Sequence, residues 1–190
     1  MANQVQTSVN ISGPEEEILR FVSENKAEDG LLNMNFSVPA PVFDNTDDQE
    51  NWVGENWGTD YVEFLDDDWV VMDSTHVETQ ISSPWAPPFM WFNTISTSYP
   101  DLTFVLQSVE TGNGFYASYA VTNGEETDFT IYEDEFLGFL ESWSEKEWSS
   151  SEILEAKKML NAFADEVGAN SNMRKILADE FLYELDESNK

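Results

Sequence analysis

The sequence predicts an α+β fold, in which an antiparallel sheet with helices on one face precedes a C-terminal helical extension. Three observations support this prediction. Segments of alternating polar and apolar residues, typical of half-buried strands, recur through the first 122 residues. Two helical segments interrupt these strands in the order of a split βαβ unit. After residue 124, apolar residues recur mainly at helical spacing.

The chain opens with a predicted strand and helix. QVQTSVNISG, residues 4–13, alternates through Val5, Val9 and Ile11. PEEEILRFVSENKA follows as a helix, because Pro14 suits a first turn and the next three residues are acids that complement the helix dipole. Residues 31–38 predict a short strand, and the proline-containing stretch 39–51 predicts a loop.

The middle of the chain predicts strands at 59–64, 69–72 and 76–82. PWAPPFMWFNTISTSYP then predicts a helix that is entered through Pro87 and Pro88 and ends before Pro100. LTFVLQSVE and GFYASYAVT predict a hairpin whose turn is Asn113-Gly114. DFTIY, residues 128–132, predicts one further strand.

Three helices are predicted in the tail. Aromatic and aliphatic residues from 136 to 143 have helical spacing, Ser149 and Glu152 form a capping box before the second helix, and Gly168 ends that helix. The third helix begins near residue 170. We place a domain boundary at Asn123-Gly124, which separates an acidic sheet domain, residues 1–123, from a helical extension, residues 124–190.

Charge is the unusual property of this sequence. The 190 residues carry 38 Asp and Glu against 8 Lys and Arg, a net charge of −30. Residues 27–145 contain 24 acids and no Lys or Arg. Such a field repels nucleic acid and anionic membranes and attracts basic grooves. Solvated surface or halophilic adaptation also produces acidity, but the high aromatic content, 14%, and the uneven distribution favour a binding function.

Composition excludes several function classes. Without cysteine, disulfides, thiolate metal sites and cysteine nucleophiles are impossible. We see no secretory signal and no apolar stretch of about 18 residues that would span a bilayer, so a cytoplasmic location in a bacterial host is expected. His76, the single histidine, lies in an alternating run and is expected to be a strand residue. We therefore predict a protein without catalytic residues or cofactor.

Several short motifs resemble the Api92-like, YubB-type family of phage and plasmid proteins. They are VNISGPEEEILRFV, ENWGT, PWAPP and YPDLTFVLQSVETGNGFYA, in that order, and the resemblance covers about residues 1–122. It implies a ferredoxin-like fold and a mobile genetic element, and it brings no activity or catalytic residues. The chain departs from the family in having Asp60 where a Lys often follows NWGT, and in its stronger acidity. The tail after Gly124 lies outside the resemblance.

Two of these motifs have alternative interpretations. NWGT either presents Trp57 to a partner beside a flexible Gly58, or packs Trp57 in the core while Gly58 meets a backbone requirement; packing is the favoured interpretation. PWAPP is expected to begin a helix with Trp85 packed, rather than to act as a proline-rich ligand.

Two clusters of acids were considered as divalent cation sites, namely residues 66–68 and the set Asp44, Asp47, Asp48 and Glu50. Neither has the alternating ligands and glycine of a calcium loop, so no metal site is predicted. A carboxylate metal nuclease is a third hypothesis. It is disfavoured because such an enzyme needs basic residues to bind phosphates.

Our first hypothesis is a nucleic-acid mimic that blocks the basic groove of a host defence complex, such as a CRISPR effector or restriction system, without binding nucleic acid itself. Alternate acids on a strand lie roughly 6–7 Å apart on one side, a spacing suited to a groove that reads phosphates. The residues expected to contact the partner are Asp47, Asp48, Glu50, Asp60, Glu63, Asp66, Asp67, Asp68 and Asp73, a second patch of Glu133, Asp134 and Glu135, and the anchors Trp52 and Trp69.

The alternative hypothesis is a non-catalytic interaction module. In this interpretation the C-terminal helices dock a partner or a second copy, giving a homodimer, and the acidity serves solubility.

Overall fold

A computed structural model describes residues 3–65, 68–112, 114–144, 148–149 and 152–187, with side chains in the last helix described to residue 182. The strands are β1 (Gln4–Ser12), β2 (Ala27–Glu28), β3 (Leu31–Leu32), β4 (Glu63–Phe64), β5 (Val70–Asp73), β6 (His76–Pro84), β7 (Thr103–Glu110), β8 (Phe115–Thr122) and β9 (Glu125–Ile131). The helices are α1 (Glu15–Glu24), α2 (Met34–Ser37), α3 (Thr46–Asn56), α4 (Phe89–Ser96), α5 (Glu133–Ser144), α6 (Ile153–Glu166) and α7 (Ser171–Glu187).

The described strands form one antiparallel sheet in the order β2-β3-β4-β6-β1-β7-β8-β9, and β5 pairs with β6 next to β4. Both β6 and β7 pair antiparallel with β1, so they run parallel to each other and α4 connects them. In the same way, β5 is antiparallel to β6 and therefore parallel to β1, and α1 lies between β1 and β5 in the chain. This is the split βαβ arrangement of a ferredoxin-like fold, as predicted, extended by β8 and β9.

Helices α1 and α4 cover one face of the sheet. Ile18 and Phe21 of α1, with Trp91 and Phe92 of α4, are almost completely buried against strand residues such as Phe104. Phe21 makes edge-to-face contacts with Phe104 at 5.5 Å between ring centroids. Burial of each such side chain stabilises the fold by about 1.5–3 kcal/mol, which offsets the mutual repulsion of the acids.

Helices α5 to α7 cover the opposite face. On β7, Phe104 belongs to the first core cluster and Val109 to the second, as strand alternation requires. Gln107 fixes the loop between α6 and α7, because its side-chain amide donates to Gly168 O at 2.9 Å and accepts from Asn170 N at 2.8 Å. The apolar side of the described helical extension is therefore used inside the molecule.

Three segments differ from their predicted structure, one of them being the predicted strand 59–64, of which only Glu63 and Phe64 form β4. Residues 46–51, the end of the predicted loop 39–51, form the first part of α3, because the Asn45 side chain accepts a hydrogen bond from Asp48 N at 2.9 Å and caps the helix. Residues 31–38, predicted as a strand, give only two strand residues before α2, which Asn33 caps in the same way. Side-chain caps of this kind override a short alternating pattern.

The predicted boundary at Asn123-Gly124 lies in a hairpin turn. Both residues have positive φ, 51° and 74°, as a two-residue hairpin turn requires, and β9 remains paired with β8. The helical part thus begins at Glu133 rather than at residue 124. The division into two domains stays a prediction. In the described part of the chain, no helix combines the length and the apolar character needed to cross a membrane.

Candidate functional site

The described acids between residues 60 and 73 lie along the side of β6 that is opposite to β1, and β3 and β2 continue the sheet beyond β4. β4 and β5 pair with successive parts of β6, on the side opposite to β1, with Glu63 facing Ser82 and Asp73 facing His76. These two positions are therefore about 20 Å apart along the edge. We call the segment from Asp60 to Asp73 the acidic edge. Asp66 and Asp67, which belong to it in sequence, lie outside the described residues.

The described acids of this edge differ in their surroundings. Asp60 and Glu63 are exposed. Asp68 is half-buried, and its Oδ1 accepts hydrogen bonds from Trp69 N at 2.8 Å and Ala27 N at 3.3 Å. Asp73 accepts from the backbone and hydroxyl of Thr75, which lowers the pKa of its carboxyl below the ordinary value. Asp68 and Asp73 thus also stabilise local structure.

The acids of α3 continue the acidic edge at its β4 end. Asp47, Asp48 and Glu50 are exposed in the first turns of the helix, where they complement its dipole. Glu50 and Asp60 line the same cleft of about 150 Å³. The structure therefore brings these two predicted residues together although ten positions separate them.

Two acids that the sequence analysis missed lie beside this group. Glu28 and Asp29 line a neighbouring cleft together with Asp60, and Glu28 pairs across from Leu31, which faces Glu63. Asp29-Gly30 is a dipeptide typical of hairpin turns, and in the structure both residues have the positive φ that such a turn requires. The strands that this turn joins, β2 and β3, have two residues each, which is too short for an alternating pattern to predict them.

Neither predicted tryptophan anchor has a freely exposed ring. Trp69 is 7% exposed, its Nε1–H donates to Asn25 O at 2.6 Å, and its ring packs edge to face on Phe21. Its predicted role as an anchor is therefore corrected to a core role. Trp52 is half-buried and packs against Trp57 at 5.3 Å between ring centroids.

Trp85 is the exposed tryptophan instead, and the prediction that it packs at the helix entrance is wrong. Its side chain is 56% exposed, and its backbone has a φ of +64°, which is rare for a bulky residue. Trp85 borders an apolar groove of about 510 Å³, which we call the Trp85 groove. The groove is lined by Gly58, Trp85, Ala86, Pro87, Phe89, Met90, Phe115, Ala117, Phe129, Ile131 and Glu133.

Three of the sequence motifs meet in the Trp85 groove. Gly58 belongs to NWGT, Trp85 and Pro87 belong to PWAPP, and Phe115 follows the GNG turn. The motifs are up to 57 positions apart in the chain. Only the tertiary structure brings them to one site.

The NWGT motif packs against the backbone of the segment that lines the groove. Gly58 has a φ of +83°, and a Cβ at this position would lie 3.0 Å from Pro87 O. Trp57 is half-buried and donates from Nε1 to Val38 O at 2.9 Å, while Thr59 donates to Pro84 O at 3.0 Å. The packing interpretation of NWGT is therefore confirmed.

Carboxylates lie on both sides of the Trp85 groove. Glu133, at the start of α5, is one of its lining residues. On the other side of Trp85, the small cleft with Glu50 and Asp60 shares Trp85 and Gly58 with the groove. Asp134 and Glu135 are exposed, and both line a cleft between α5 and α6. The second acidic patch is thus separated from the first by the groove.

The described residues provide few groups for catalysis. His76 begins β6 and is a strand residue, as predicted, with Nε2 3.2 Å from Asn10 Oδ1 and 3.9 Å from Glu78 Oε2. Within the described ranges, no three His, Cys, Asp or Glu side chains are grouped closely enough to hold a metal ion.

Comparison with known proteins agrees with the sequence motifs. Residues 65–147 match the family model described as the ferredoxin-like domain in Api92-like protein. The matched segment begins and ends later than the expected residues 1–122. No curated protein matches the chain. A crystal structure of a protein api92 from Yersinia pseudotuberculosis is similar, with 13% identity and a TM-score of 0.43, over 53% of this chain.

The aligned region spans 39% of that solved protein's length. The matched residues contain β5 to β9, α4 and α5, so the match extends into the tail that was expected to lie outside the resemblance. The resemblance to the Api92-like family is thereby confirmed, with residues 65–147 matched by its ferredoxin-like domain.

Proposed function

We propose that the protein acts in the cytoplasm of a bacterial host as a mimic of nucleic acid. It binds the basic DNA- or RNA-binding groove of a host defence complex, such as a CRISPR effector or a restriction system, and so blocks the substrate. It acts by binding and not by catalysis. The observation that supports this proposal most is the row of carboxylates along the acidic edge.

Charge density is the physical reason. In its sequence, segment 60–73 carries six Asp and Glu, four of them among the described residues, and the distance along the sheet from Glu63 to Asp73 is about 20 Å. One nucleic-acid strand carries a charge every 3.4 Å, which gives about six phosphates over the same length. Glu50, at the β4 end of the edge, adds to this row. The number of acids in the sequence of this segment is therefore similar to the number of phosphates on such a length of strand, and this similarity supports the proposal.

The test is capture from a bacterial lysate on the immobilised full-length chain. We expect the captured protein to bind nucleic acid, to be released by duplex DNA or RNA as competitor, and to bind less as salt rises, because counterions compete for the same contacts. A captured protein that nucleic acid does not displace would contradict the proposal.

A pair of matched variants locates the contact. Glu50→Gln with Asp60→Asn and Glu63→Gln removes three charges near the acidic edge, and we expect binding to fall about 10- to 100-fold. The control, Asp101→Asn with Glu155→Gln and Asp179→Asn, removes three exposed charges outside both predicted acidic patches, one before β7 and one each on α6 and α7. It changes the net charge equally, so a loss of equal size in both variants would reject this location.

The alternative, docking through the C-terminal helices, has less support. Phe136, Phe163 and Leu177 are buried against one another and against the sheet. Removing these helices would expose Tyr116 and Val109 on the second face, so a truncation tests folding as well as docking. The proposed homodimer through these helices predicts a dimer in sedimentation experiments at micromolar concentration.

A further inference from the structure

We propose that the Trp85 groove binds a short segment of the basic partner in which one or two apolar side chains are flanked by Arg or Lys. This inference rests on the proposed function, because it takes the partner to be basic. It adds a second contact, next to the acidic edge, that a mimic made only of charge would lack.

The groove exposes unusually large apolar side chains. Trp85, Met90, Phe129 and Ile131 are each between 45% and 56% exposed and line one cavity. Single exposed apolar residues are ordinary on protein surfaces, but a contiguous apolar patch marks a binding surface. The volume, about 510 Å³, is within the range of pockets that enclose a few side chains or a small ligand.

The walls of the groove are already ordered. Phe89 stacks on Tyr119 with 4.7 Å between centroids, and Phe129 meets both rings edge-on at 6.0 Å. Around Trp85, its own N–H donates to Asn3 O at 2.9 Å and the Ser83 hydroxyl donates to Ala86 O at 2.9 Å. Binding would therefore cost little further ordering of the groove.

The backbone at Trp85 indicates that its exposure has a use. A non-glycine residue in the left-handed region costs about 1–2 kcal/mol. Strained conformations of this kind are concentrated at functional sites. In this protein the strained backbone belongs to a large aromatic residue that is more than half exposed.

The carboxylates in and beside the Trp85 groove indicate which kind of peptide segment would bind there. Glu133 lies in the groove, while Glu50 and Asp60 lie on the other side of Trp85, and the described lining residues include neither Lys nor Arg. Basic residues on both sides of an apolar side chain would match this arrangement, and an Arg guanidinium would also stack on Trp85. A second copy would bring another chain of net charge −30 to the same carboxylates, which disfavours self-association here.

The test uses three synthetic hexapeptides with the full-length protein. The first has a central Phe-Leu with two basic residues on each side. The second replaces Phe-Leu by Gly-Ser, and the third keeps Phe-Leu between acidic residues. Binding is followed by NMR at the Trp85 indole N–H and at the Met90 and Ile131 methyl groups. We expect the first peptide to shift these signals and to bind at least about 10-fold more tightly than the other two.

Matched variants keep the test independent of folding. Phe129→Ala and Trp85→Ala should each weaken the first peptide about 10-fold, whereas Leu154→Ala, which truncates an exposed leucine on α6, should change its affinity less than about twofold. Glu133→Gln should reduce the salt dependence of binding, because it removes one carboxylate from the groove.

Several outcomes would overturn the inference: equal binding of the first and second peptides, equal binding of the first and third, no loss in Phe129→Ala, or a dimer that Trp85→Ala converts to monomer. The proposed function is tested separately by nucleic-acid competition for the captured protein. If that competition holds while the peptides fail, the mimic stands and the groove inference falls. If competition fails while the first peptide binds as expected, the mimic falls, while the groove still takes a cationic and apolar segment.

Discussion

The regions around Trp69 and Trp85 use the same side chain in opposite ways. Trp69 lies between Phe21 and Phe64, with ring centroids about 5 Å away, and its indole N–H is hydrogen-bonded. Trp85 is more than half exposed, and its backbone has the unfavourable φ of +64°. Aromatic residues in this acidic chain therefore have two roles. Trp69 stabilises the core beneath the sheet, whereas Trp85 exposes its ring at the surface.

The largest expected effect separates these two purposes directly. Trp69→Ala should lower the free energy of unfolding by about 3–5 kcal/mol, because it leaves a cavity in the core. Trp85→Ala should change it by less than about 1 kcal/mol. Urea denaturation followed by circular dichroism measures both. A loss of more than 3 kcal/mol in Trp85→Ala would show that its ring is packed after all.

The next effect tests the support of the Trp85 groove. Gly58→Ala should destabilise the fold by about 1–3 kcal/mol, because the new Cβ would meet Pro87 O at 3.0 Å in a left-handed backbone. The control is Gly138→Ala in α5, where nothing lies within 4 Å of the Cβ position and where alanine favours the helix. That variant should gain up to about 1 kcal/mol. Two changes of the same sign and size would contradict this account.

A smaller effect sharpens the contrast between stability and function at Trp85. Trp85→Gly should raise the free energy of unfolding by up to about 1 kcal/mol, because glycine adopts positive φ without strain. The same variant should lose the basic, apolar peptide described above. Thermal denaturation and peptide titration on one preparation check the two expectations. A variant that is less stable than the parent would show that the ring contributes to the fold.

The smallest effect lies on the far face of the sheet, away from both tryptophans. Gln6 donates to Glu180, and partial desolvation raises the pKa of this carboxyl although much of the residue stays exposed. Since the folded state favours the protonated form, the ionised carboxylate destabilises the fold above that pKa, and the penalty disappears as the pH falls below the unfolded-state pKa of about 4.3. Glu180→Gln should therefore stabilise the protein at pH 7 by less than about 0.5 kcal/mol and have no effect near pH 3.

Melting curves at both pH values check this expectation, with Glu63→Gln as the control. Glu63 is exposed on β4, so that variant measures only the general relief of negative charge. A gain at pH 7 no larger than that of the control would remove the role assigned to desolvation of Glu180.

Local patterns were sufficient for most of the fold. Alternation predicted β1, β7 and β8, because one face of each strand packs on the core clusters. Helical spacing predicted α1 and the three tail helices. Residues 46–51 were predicted as loop because their composition is polar, whereas the Asn45 cap stabilises a helix that begins there.

The candidate site was predicted less well than the fold. The acids are visible in sequence, but Trp69 and Trp85 could not be distinguished, because both occur in aromatic-rich segments. Exposure depends on which elements pack above a residue. For Trp69 those are Phe21 of α1 and Phe64 of β4, which are distant in sequence or hidden in a two-residue strand.

The sequence alone therefore determined the class of fold, the order of its main elements and the segregation of 24 acids into a stretch without Lys or Arg. Those properties depend on local periodicity and composition. Tertiary packing alone places α5 to α7 over the second face, aligns the described acids of β4 and β5 along one side of β6, and brings Gly58, Trp85 and Phe115 into one groove. Such features depend on pairing between distant segments, which no local pattern records.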